Sequence, residues 1–76
     1  MIEELDSVVL TRDIPESGLT VGDVGTVVHR YEAPRGYEVE FAAGDGSTVA
    51  VLTLEAADLR PLEEGDMLHV RKLASA

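Results

Sequence analysis

Two glutamates, Glu38 and Glu40, stand one residue apart in the stretch YEVEF. On an extended strand this spacing puts both carboxylates on one face, about 6.5–7 Å apart. A carboxyl pair at that separation can act on a glycosidic bond. The chemistry also needs a deep sugar cleft, which 76 residues can hardly build, so the pair reads as a solvated strand face. His29 and His69 are the next candidates, since imidazole with carboxylate suits Zn²⁺ or Ni²⁺. They fall on widely separated segments, and alternation sets His29 beside Val27 and Tyr31, which implies a partly buried, hydrogen-bonded ring. The hydroxyls of Thr11, Ser17, Ser47 and Thr48 lie near turns, with no histidine placed to activate them. These residues predict no catalytic site, no metal site and no cofactor.

The stretch GLTVGDVGTVVH, Gly18 to His29, raises the possibility of phosphate binding. A phosphate cradle needs successive backbone N–H groups, usually with a helix N-terminus or a lysine. Here a strand comes next, no lysine is near, and Asp23 repels phosphate. Gly18, Gly22 and Gly25, with Gly44 and Gly46 further on, therefore read as turn and close-packing glycines. Nucleic-acid binding needs a basic stripe or stacking aromatics. Arg12, Arg30, Arg35 and Arg60 are scattered among acids, and the aromatics are only Tyr31, Tyr37 and Phe41. Fifteen acidic against six basic residues give a net charge of −9, which opposes both phosphate backbones and anionic lipid. No apolar run is long enough to span a membrane, and MIEELDSVVL is acidic where a secretory leader is basic, so a cytoplasmic protein is expected.

The elements that carry these residues are short strands. Ser7–Thr11, Gly25–Tyr31, Tyr37–Phe41, Ser47–Leu54 and Leu59–Leu62 are β-branched or alternating runs. They are separated by Asp13–Gly18, by Glu32–Gly36 with Pro34 and Gly36, by Gly44-Asp45-Gly46 as a tight hairpin, and by Glu55–Asp58. Leu19 and Val21 are isolated apolar residues suited to plugging one end of a core. The stretch from Glu55 to Asp58 is too short for an α-helix and predicts one 3₁₀ turn. Pro61 places the fifth strand at an edge. The fold class is all-β, a small five-stranded barrel over 1–63, with a C-terminal β arm over 64–76 whose last three residues fray. With no cysteine, stability rests on Val, Leu and Ile packing and on association.

GDVGTVV, the YEVEF strand and the closing DLRPL resemble the SH3-like barrel proteins. From about Asp6 to Leu62, through VVLTRDIPESGL, GDVGTVVHRY, YEVEF and DLRPL, the chain is similar to a family of short bacterial proteins of unknown function. The same barrel occurs in the nitrile hydratase beta subunit, a small photosystem I subunit and KOW domains. The resemblance implies a module that sits against a larger partner, and it brings no catalytic residue.

One feature departs from simple alternation. In TVAVLTL, Val49 and Val51 lie on one face while Ala50, Leu52 and Leu54 lie on the other, and Val8-Val9-Leu10 and Val27-Val28 are likewise apolar on both faces. A single small interior cannot take all of these side chains. Either they meet another protein, a homodimer being the simplest case, or the arm covers them through Leu68, Val70 and Leu73. The candidate interface residues are Val9, Val28, Val49, Val51, Leu68 and Val70. The expected function is a non-enzymatic protein-interaction module that pairs with itself or with a larger protein. A KOW-like nucleic-acid or ribosome-associated module and a small-molecule or metal-binding domain are the alternatives. Val51→Glu should break an assembly, read by sedimentation, if Val51 faces outward; it should unfold the protein, read by circular dichroism, if Val51 faces the core.

Overall fold

The computed structural model describes residues 2–32 and 36–73. It is all-β: β1 (Ser7–Leu10), β2 (Val24–Arg30), β3 (Tyr37–Ala42), β4 (Thr48–Leu54) and β5 (Leu59–Pro61). All pairings are antiparallel, in the order β4-β3-β2-β1-β5. The sheet does not close, so the barrel is approximate and β4 and β5 remain its edges. Each strand boundary falls within a residue or so of the alternating runs, because Gly, Pro and Asp interrupt the ladder where they occur. The expected 3₁₀ turn is present at Ala56–Asp58, and a second one stands at Pro15–Ser17. No helix among the described residues is long and apolar enough to cross a membrane. The turn around Pro34 and the three C-terminal residues fall outside the described residues.

One face of the curved sheet wraps a core centred on Val8, Leu10, Val27, Val39, Phe41 and Leu54. Ile14 and Leu19, bridged across the Pro15–Ser17 turn, close one end of it. Leu19 thus plugs the core as its position suggests, but Val21 is 58% exposed, because the chain has already turned outward toward Gly22. Tyr37, Ala50 and Leu52 pack at the margin. Residue 59 is the last contributor, so the core is built without the C-terminal arm.

Two register shifts explain much of the apolar excess. Val27 pairs with Val39 and His29 with Glu38, so Val28 is an extra residue in β2. Phe41 pairs with Ala50 and Ala42 with Thr48, so Val49 is an extra residue in β4. An inserted residue breaks the two-residue period and turns the strand. The first bulge reverses the parity of the residues after it. His29 therefore stands with Glu38 on the outer face and is exposed, not set beside Val27 in partial burial. The second bulge lets Val49 and Ala50, neighbours in sequence, both pack against the core.

The hairpin between β3 and β4 is longer than a two-residue Asp-Gly turn. The Ala43 N–H donates to the Ser47 carbonyl at 2.8 Å, and the Gly46 N–H to the Ala43 carbonyl at 2.9 Å. Gly46 takes φ +88°, but Gly44 has no positive φ and no steric need for glycine. Gly18 and Gly22 are also left-handed, as turn glycines should be. Gly25 serves close approach: a Cβ there would lie 2.7 Å from Val39 Cγ1 and 2.8 Å from Phe41 Cε1. At Gly36, φ is +99° and a Cβ would collide with the Leu54 carbonyl oxygen. Gly25→Ala should lower unfolding free energy by about 1–3 kcal/mol, the usual cost of overpacking. Gly36→Ala should cost at least as much, since backbone cannot yield as a side chain can. Gly44→Ala should be near neutral. Urea denaturation of the three variants checks the order.

Candidate functional site

The outer face of β2, β3 and β4 carries the groups with the strongest claim to chemistry. Strand pairing sets Glu40 between Thr26 and Val51, and Glu38 between His29 and Thr53. Each carboxylate accepts a threonine hydroxyl: Thr53 Oγ1 donates to Glu38 Oε1 and Thr48 Oγ1 to Glu40 Oε2, both at 2.6 Å. Tyr31 Oη also donates to Glu38, at 3.3 Å. His29 stacks edge-on against Tyr31, with ring centroids 4.6 Å apart, and its Nδ1 lies 3.3 Å from Glu4 Oε2. This arrangement is a cross-strand hydrogen-bond lattice on an open surface. Neither of the two cavities described below borders His29 or Tyr31. Among the described residues, no group of three or more His, Cys, Asp or Glu is placed to hold a metal ion.

The six candidate interface residues separate into three groups. Val9 is buried, contrary to its expected exposure, and it points away from the core because alternation opposes it to Val8 and Leu10. Its cross-strand neighbours are Val24 and Arg60, and it shares the lining of a cavity of about 280 Å³ with Leu62 and Leu68. Val49 is half-buried at its bulge, so it too is not a free surface residue. Val28 and Val51 remain outward, at 42% and 48% exposure, and Leu68 and Val70 are more exposed still, at 66% and 98%.

The described arm after β5 forms no ladder with any strand, so in place of the expected β arm there is a turn at 64–65 and then irregular chain. Charge fastens it. Arg60 grips Asp66 through two hydrogen bonds, 2.8 and 3.0 Å, while the Glu63 N–H donates to the same carboxylate at 2.7 Å. Further on, Arg71 Nε donates to Asp23 Oδ1 at 2.9 Å and its other nitrogen reaches the Gly18 carbonyl. Between these fastenings the apolar side chains stand off from the barrel. They leave an open groove of about 680 Å³ bordered by Val24, Phe41, Val49, Leu68, Val70 and Leu73.

The edges of the sheet differ sharply. β5 has three residues and ends on Pro61, a combination that discourages further pairing. β4 has seven residues, with no proline, no glycine and no charge. It lies within the longest uncharged run of the chain, 46–54. Its far side has no ladder partner among the described residues. The aliphatic side chains of this strand are legible in the sequence; its unpaired backbone is not, because strand order is not written in local pattern.

The ion pairs make the arm sensitive to acid. Arg60, with the Glu63 N–H, holds the Asp66 carboxyl down at about 2. Arg71, aided by the Thr20 N–H and against partial burial, holds Asp23 below its usual value. A carboxyl whose folded pKa is depressed stabilises above its unfolded pKa, about 3.9, and loses that contribution as pH falls through the folded value. Between about pH 4 and pH 2 the arm should therefore release from the barrel. Backbone NMR shifts of residues 63–73 should move together in that window, and Arg71→Gln should raise the Asp23 midpoint toward the ordinary carboxylate range.

No curated protein and no solved structure matches the chain. A family model does, over residues 4–61, a span that takes in all five strands and stops where the arm begins. The chain belongs to the family described as a domain of unknown function, DUF4926.

Proposed function

We propose that this protein is a non-enzymatic, cytoplasmic protein-interaction module whose contact strand is the free edge of β4. The observation that carries the reading is the contrast between the two sheet edges: β5 is short and closed by proline, whereas β4 is long, flat in composition and uncharged. Beyond the bulge at Val49, the regular edge of Ala50–Leu54 is a template for an added strand, since its far side lacks a ladder partner. Main-chain bonds supply affinity in such an arrangement, and alternate side chains supply selectivity. On β4 those are Val51 and Thr53 outward, with Ala50 and Leu52 toward the core.

The charge distribution supports the same reading. A net charge of −9 disfavours polyanions and other acidic proteins, while the β4 edge offers one strip without like-charge repulsion. An SH3-like barrel acting as an accessory to a larger protein would present such an edge.

The test is capture by the tagged, full-length chain in the native cell, compared with Val51→Lys and Thr53→Lys. Both side chains are exposed, so the fold should persist, as circular dichroism can verify. Val28→Lys, an outward change away from the edge, is the control. A partner retained by the control and lost from both edge variants supports the reading. Equal capture by all four proteins overturns it.

A further inference from the structure

A free edge and a free strand-like segment occur in the same chain. The segment Met67–Leu73, MLHVRKL, sets Leu68 and Val70 against His69 and Arg71, pairs with no strand, and contains no acid. It carries Arg71, Lys72 and His69 in a protein whose net charge is −9. Its attachment to its own barrel is slight in apolar terms, with Met67 at 80% exposure and Val70 almost fully exposed. The ion pair that fastens it, Arg71 with Asp23, is only partly buried, with the arginine side chain 36% exposed, and solvent weakens such a pair.

We infer that the occupant of the β4 edge is the C-terminal arm of a second copy of this chain, exchanged reciprocally to form a two-fold dimer. The inference rests on the reading of β4 as the contact strand. The side-chain parities match. With Leu68 and Val70 set beside Ala50 and Leu52, the arm extends the core face of the sheet, and His69 and Arg71 fall on the outer face beside Val51 and Thr53. That outer face carries Glu38 and Glu40 on the next strand. Two strand spacings, about 9.6 Å, separate the arm backbone from β3, a gap that an arginine and a glutamate side chain bridge together. The basic arm thus meets the acidic face of its neighbour. Reciprocal exchange satisfies both edges at once and closes on itself, so growth stops at two.

Sedimentation velocity of the full chain across a concentration series tests this, with circular dichroism confirming that each variant is folded. The arm contributes nothing to the core, so Leu68→Asp with Val70→Asp should leave the fold intact. The wild type should dimerise, and both this arm variant and Val51→Lys should be monomeric. Mixing the two monomeric variants should restore a heterodimer, since one supplies an intact edge and the other an intact arm. Dimers that survive the arm substitutions but vanish in Val51→Lys would mean edge-to-edge pairing of β4, which overturns arm exchange and leaves the edge reading standing. A wild type that stays monomeric at every concentration also overturns arm exchange; the capture experiment then judges the edge reading alone. If the mixed variants fail to associate although the wild type dimerises, arm exchange is overturned as well.

Discussion

Every backbone N–H and C=O in a sheet needs a partner, and an open sheet cannot supply them all from within. A five-stranded antiparallel sheet ordered β4-β3-β2-β1-β5 leaves one row of groups along β4 and another along β5. Small barrels usually meet this demand by closure. Here closure fails, and the two edges are left in different chemical states. β5 is brief, carries Arg60 and ends on Pro61, which removes a donor at the strand end. β4 keeps a seven-residue uncharged edge, interrupted only by the bulge at Val49. The rest of the molecule is arranged around that difference.

The interior is narrow for the number of aliphatic residues, and irregularity in the strands resolves part of the mismatch. A strand with strict period two sends half its side chains to each face. The extra residues at Val28 and Val49 break that count, turning Val49 inward beside Ala50 and moving His29 outward beside Glu38. The same bulges bend the sheet around Val8, Val27 and Val39, which are fully enclosed. Gly25 belongs to this geometry, because β2 crosses so close to Phe41 and Val39 that no side chain fits. The apolar surface that the bulges do not absorb is buried beside a cavity that the arm also lines, as at Val9, or left outward, as at Val51.

Electrostatics distributes the remaining surface. Acidic residues dominate, yet each described arginine is engaged with a carboxylate: Arg12 with Asp58, Arg30 with Glu3, Arg60 with Asp66 and Arg71 with Asp23. Two of these pairs fasten the arm and two join distant parts of the barrel. The arm is therefore fixed by directional but solvent-exposed bonds, with little apolar contact. A segment held in that way can exchange partners without disturbing the core, which is complete by Leu59. The family match, ending at residue 61, separates the same two parts: a shared barrel and an appended tail in which Met67–Leu73 carries Arg71 and Lys72 without an acid.

Local chemistry was enough to determine the strands. Alternation in YEVEF, β-branching in VVL and TVAVLTL, and breaks at Pro15, Gly22, Gly46 and Pro61 each act within a few residues, so the sequence carries them openly. It also determined that the aliphatic residues outnumber the places inside. Which of them stay outside was a tertiary decision. Val9 and Val51 look alike in sequence, but one is buried between β2 and β5 and the other lies on an edge, because burial depends on contacts between segments remote in the chain. The bulges at Val28 and Val49 are likewise hidden, since register is a property of two strands together, and so is the fate of His29. Strand order, and with it the unpaired side of β4, comes from long-range pairing that no local pattern encodes.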